Sequence, residues 1–190
     1  MASAYFEEKS FGPADFVASP PEPGEYENCT FSDCDFSNAD FSGFKFSGCT
    51  FVRCNLSMSK LVNTAFRDVH FRDCKMLGLR FDDCNDLGLT MGFEGCALRH
   101  STFYRKKLKN TVFKNTQLQE TDFGECDLTG AVFNDCDLLD ATFENTILEK
   151  ADFRTAFNYA IDPEKNRLKK AKFSQSGVAG LLRKYNIEIE

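Results

Sequence analysis

Residues 120–153 read ETDFGECDLTGAVFNDCDLLDATFENTILEKADF, and a single rhythm runs through them. Every fifth residue is Phe or Leu: Phe123, Leu128, Phe133, Leu138, Phe143, Leu148 and Phe153. Two residues before each stands something small: Thr121, Cys126, Ala131, Cys136, Ala141, Thr146 and Ala151. A period of five is neither the 3.6 of an α-helix nor the 2 of a strand. A five-residue unit cannot enclose a core by itself, so the units must stack, and the chain is a solenoid.

The number of sides follows from the residue types. From Phe93 to Phe153 the central residue alternates strictly between Phe and Leu, so Phe recurs every ten positions. On a four-sided turn this places Phe93, Phe113, Phe133 and Phe153 in one interior column and Phe103, Phe123 and Phe143 in the opposite one. A three-sided turn would scatter the alternation over every face. Residues twenty apart then stack at about 4.8 Å, and six turns make a rod of about 30 Å.

The units Ala39-Asp40-Phe41-Ser42-Gly43, Cys126-Asp127-Leu128-Thr129-Gly130 and Ala151-Asp152-Phe153 resemble those of the pentapeptide-repeat family. The resemblance covers roughly residues 26–155. It implies an all-β fold: a right-handed quadrilateral parallel β-helix, with the central and small residues pointing inward and the other three outward.

In chain order, residues 1–25 form an N-terminal cap, in which Phe6, Phe11 and Phe16 keep the beat, and a Pro-rich loop at Ser19–Gly24. The solenoid body spans 26–155, with a register break near 84–92. There Asp86 falls where a central apolar residue is due, and the beat resumes two residues late at Phe93. Lys106 takes a small position one turn beyond Asp86, so the two charges are expected to approach one another, because a lone buried charge is costly. Residues 156–190 read as an irregular last turn, a short C-terminal α-helix with its apolar stripe at Val178, Leu181, Leu182 and Tyr185, and a brief strand at Ile187 and Ile189. This tail is the expected cover for the open end and a candidate dimer element.

All nine cysteines occupy small positions that Ala, Ser or Thr fill elsewhere, which suits free thiols in a core and a reducing, cytoplasmic setting. No apolar run is long enough for a membrane helix. His70 and His100 fall on outward positions far apart, so no metal site is expected, and no phosphate loop or nucleophile set points to a cofactor or to catalysis.

The net charge of −6 is segmented: residues 99–114 carry six cations and no carboxylate, whereas 115–164 carry two cations and twelve carboxylates. The acidic corner of Glu120, Asp122, Glu125, Asp127 and Asp140 is the candidate partner-binding site. The basic run Arg99, Arg105, Lys106, Lys107, Lys109 and Lys114 reads as a solvated patch rather than a direct nucleic-acid contact.

Within the family, the shape and the tail are similar to the quinolone-resistance (Qnr-type) branch, although the large loop of Gram-negative members shrinks here to two extra residues. That resemblance implies a non-enzymatic rod that mimics DNA toward a type II topoisomerase, DNA gyrase or topoisomerase IV, and a homodimer joined through the C-terminus. The alternative is a scaffolding rod with another protein partner.

Overall fold

A computed structural model describes residues 4–17 and 20–188. Two parallel sheets form adjacent faces of a β-solenoid. The first holds β1 (Ala4–Glu7), β3 (Gly24–Glu27), β5 (Lys45–Ser47) and β7 (Ala65–Arg67). The second holds β2 (Ser10–Phe11), β4 (Thr30–Ser32), β6 (Thr50–Val52), β8 (Val69–Arg72), β9 (Met91–Glu94), β10 (Val112–Lys114) and β11 (Val132–Asn134). The other two faces are held by single parallel bridges such as Asp35↔Asn55 and Thr102↔Asp122. Both sheets begin in residues 4–17, so the N-terminal residues already make a turn of the solenoid.

The five-residue unit has a local cause. Where an Asp or Asn precedes the central residue, its side chain accepts a hydrogen bond from the backbone N–H two residues on, as in Asp35 to Ser37 (3.0 Å), Asp122 to Gly124 (2.8 Å) and Asp127 to Thr129 (3.1 Å). This Asx turn helps to bend the chain at those corners. The residue at the bend adopts the left-handed conformation, with φ of 55° at Glu120, 56° at Glu125 and 56° at Asp140. The small residue then closes the unit from inside: the Thr64, Cys126 and Thr146 side chains each donate to a backbone carbonyl of the preceding turn, those of Phe41, Phe103 and Phe123.

The interior is a set of columns. Nine phenylalanines, Phe11, Phe31, Phe51, Phe71, Phe93, Phe113, Phe133, Phe153 and Phe173, stack behind the second sheet with centroids 4.6–5.4 Å apart. Phe81, Phe103, Phe123 and Phe143 stack in the opposite column and meet the first edge-on, as Phe103 does Phe113 at 6.1 Å and 81°. Such contacts add to the burial energy of each ring. At one ring per turn the stack is about 40 Å long. All nine cysteines are buried in small-residue slots and none is in a disulfide.

At the register break, strands pair twenty residues apart on either side, but β8 pairs with β9 at twenty-two, Phe71 opposite Phe93. The two extra residues are absorbed on the neighbouring face. The first sheet ends there at β7, and no strand continues it among the described residues. Lys106 and Asp86 meet as the sequence predicts. The Lys106 ammonium donates to the Asp86 carboxylate at 2.6 Å and to the Cys84 carbonyl at 2.8 Å. The lysine side chain is 6% exposed and the aspartate 78%, so the stem fills the interior while the charge pairs at the surface.

The tail departs from its expected α-helix. It forms two 3₁₀ turns, Val178–Leu181 and Arg183–Tyr185. Gly177 and Gly180 weaken an α-helix here, and both are held by Tyr159: a Cβ at Gly180 would stand 2.5 Å from the Tyr159 carbonyl oxygen. At three residues per turn the stripe 178, 181, 182, 185 cannot share one face. Leu181 packs on the core, Leu182 is half-buried, and Val178 and Tyr185 are exposed. Ile187 is exposed and outside any strand, so the brief strand does not start there, and Ile189 lies outside the described residues, as do residues 18 and 19 of the N-terminal segment. In the last turn Asn158 takes a left-handed corner, and Tyr159 and Ile161 enter the core in its place.

Candidate partner-binding surface

The five carboxylates of the predicted acidic corner project outward, and the lattice sets their neighbours. Glu120 and Asp140 stand on one left-handed corner column, one turn apart. Asp122 and Glu125 flank Gly124, around an open hollow of about 270 Å³ lined also by Tyr104, Thr142, Glu144 and Asn145. Gly124 fits there because a Cβ would press on Asp122 and the Tyr104 ring, at 3.0 and 3.2 Å. Asp127 lies beyond the corner, on the next face, bridged to Lys107 and Ile147.

Four of the five are engaged by the protein itself. Glu125 receives the Arg105 guanidinium at 2.8 Å and the Tyr104 hydroxyl at 2.6 Å. Arg105, and then Tyr104, hold its carboxyl below the usual range, and the same contact raises the Tyr104 phenol. Glu120 faces His100 at 3.2 Å. Burial pushes the Asp127 carboxyl up, but hydrogen bonds from Thr129 and the Lys109 ammonium, 3.2 Å away, outweigh it and hold it low. Asp122 caps its own turn and accepts from the Thr142 hydroxyl at 3.0 Å. Asp140 has no such contact among the described residues.

The basic run and the acidic corner are therefore two sides of one set of inter-turn contacts. His100, Arg105 and Lys109 lie one turn below Glu120, Glu125 and Asp127. The spacing of twenty residues in the first two pairs, and eighteen in the third, carries that signal in the sequence once both segments are placed on a single lattice. The same pairing joins Asp33 to Arg53, Glu25 to Lys45 and Glu94 to Lys114. The outer surface is a mosaic of ion pairs, and the −10 of residues 115–164 is partly neutralised by the turn beneath it.

A second hollow, of about 300 Å³, opens where Gly92 leaves a side chain out of β9, between His70 and Val112. Among the described residues no three His, Cys, Asp or Glu side chains gather as a metal site would require, and no helix is long and apolar enough to cross a membrane.

The repeat seen in the fold is also a family signature: the profile of the pentapeptide repeat region matches residues 25–91 and 89–156. The chain belongs to the pentapeptide-repeat family. No curated protein is a significant sequence match. Among solved structures, the chain is similar to full-length QnrB1, described as a plasmid-mediated fluoroquinolone resistance protein, at 17% identity and a TM-score of 0.55 over 98% of this chain and 99% of that one. It is similar also to HetL from the cyanobacterium Nostoc, a pentapeptide-repeat protein involved in heterocyst differentiation regulation. There the identity is 14% and the TM-score 0.61, over 92% of this chain and 86% of HetL. At these identities the likeness is one of fold.

Proposed function

We propose that this pentapeptide-repeat protein is a non-enzymatic rod that binds another protein through its outward side chains. The observation behind this reading is the division of labour within each unit. Two residues in five build the core, and the other three stand on a fixed lattice at the surface, where their spacing is set before any partner arrives. Such preorganisation favours recognition of an extended surface, since little ordering remains to be done on binding.

The partner of first choice is a type II topoisomerase, gyrase or topoisomerase IV, approached as a mimic of DNA. Support comes from the end-to-end fold likeness to QnrB1 and from the acidity of residues 115–164. On this reading Asp122 and Asp140, which pair with no cation among the described residues, carry the contact. Glu125 and Asp127 serve mainly to hold Arg105 and Lys109. The ion-pair mosaic favours the second reading, a scaffold whose partner reads alternating charges.

Titrating the protein into a bacterial gyrase supercoiling reaction, with and without a fluoroquinolone, separates the two. Mimicry gives inhibition or protection that weakens with salt and is lost in D122N/D140N but kept in E125Q. No effect on supercoiling or on drug-stabilised cleavage removes the topoisomerase and leaves the scaffold.

A further inference from the structure

Ion pairs link successive turns along the rod, and the two end turns each lack a neighbour on one side. The residues left over at the two ends have opposite sign. At the N-terminal end, residues 4–27 hold six carboxylates against one cation, Lys9. Glu25 pairs with Lys45, Glu27 accepts from the Tyr5 hydroxyl and Asp15 caps its own turn, which leaves Glu7, Glu8 and Glu22 without a partner among the described residues. At the other end, residues 165–188 hold seven cations against one carboxylate, Glu188. Lys165, Arg167, Lys172 and Lys184 pair with Glu144, Glu149, Asp152 and Asp162, which leaves Lys169, Lys170 and Arg183 without a partner among the described residues.

Both ends are also apolar. Phe6, Phe11 and Phe16 are half-buried, whereas Tyr26, Phe31 and Phe36 one turn up are 1–2% exposed. β1 and β2 are the open edges of the two sheets. The tail presents Val178, Tyr185 and Ile187, about half exposed at 46%, 54% and 55%.

We propose that the occupant of each end is a second copy of this chain, docked head to tail, with the carboxylates around Phe6, Phe11 and Phe16 set against the cations around Val178, Tyr185 and Ile187. A two-fold tail-to-tail dimer instead sets Lys169, Lys170 and Arg183 against themselves. A head-to-tail contact does not close on itself, so it yields an open series of rods whose length grows with concentration.

The test is sedimentation velocity on the full chain across a concentration series at about 20 mM and about 0.5 M salt, where the screening length falls several-fold. The wild type should pass steadily beyond twice the mass of one chain at low salt and return to single chains at high salt. E7K/E8K/E22K and K169E/K170E/R183E should each stay single at low salt, with circular dichroism confirming the fold, and their equimolar mixture should assemble again. A single mass at every concentration overturns the proposal. So does a closed dimer indifferent to the substitutions at residues 7, 8 and 22, which would establish the two-fold tail contact. Two folded variants that stay apart on mixing overturn it as well. Neither result bears on gyrase, which is assayed separately.

Discussion

Two adjacent faces of the rod meet the same insertion and respond differently. The face of stacked phenylalanines carries one sheet from β2 to β11 and nine rings in an unbroken column, and it passes the break by lengthening one step from twenty residues to twenty-two. Its neighbour loses its sheet at β7, and beyond the break it is held by the single bridges Lys107↔Asp127, Asp127↔Ile147 and Ile147↔Arg167. The insertion therefore costs one face its ladder and leaves the other's packing intact. Aromatic columns tolerate no vacancy, whereas a corner can take up extra backbone at left-handed residues such as Gly88, with φ of 72°. Lys106 adds to the repair: its buried stem carries the ammonium to the Cys84 carbonyl and the Asp86 carboxylate beside the inserted residues.

Substitutions along the two faces should separate them. Phe93→Ala empties a 2%-exposed ring site in the continuous column and should cost about 3–5 kcal/mol in chemical denaturation, while Asn134→Ala on the outer surface should stay within about 0.5 kcal/mol of wild type. Equal losses would dissolve the inside–outside assignment. On the broken face, Lys106→Ala removes both the stem and the donor to the Cys84 carbonyl and should cost about 2–5 kcal/mol. Lys106→Met keeps the stem and should lose only about 1–3 kcal/mol. If Met were as damaging as Ala, the ammonium rather than the stem would be the repair.

Smaller still is the inter-turn pairing. Arg105→Ala should cost least of all, and that small difference should shrink in salt. It carries a pH signature. The folded Glu125 carboxyl lies below its unfolded value, so its contribution is complete above the unfolded range near about 4.3 and is lost as pH falls through the folded value. Wild type and R105A should therefore converge in stability at low pH. A gap that widens on acidification would place the interaction elsewhere.

The five-residue beat, the two aromatic columns and the meeting of Lys106 with Asp86 were all legible in the sequence, because each follows from counting in fives and twenties. The tail was not. Its apolar spacing fits an α-helix, but Tyr159, nearly twenty residues earlier and off the beat, packs on Gly177 and Gly180 and selects 3₁₀ geometry. The acidic corner was legible as positions but not as free charge. That Asp122 and Asp127 bend the chain, that Arg105 neutralises Glu125 and that His100 faces Glu120 depends on side-chain directions across turns.

Hydrogen exchange resolved by residue tests most directly whether the lattice is broken on one face only. Leu87 and Leu89 make local amide bonds, to the Asn85 side chain and to the Asp86 carbonyl at 3.4 Å, whereas β9 lies between two paired strands. Exchange should be fast at residues 86–89 and slow at Met91–Glu94, as slow as in β8 and β10. Fast exchange running through β9 would show that the break severs both faces and would contradict a break on one face only.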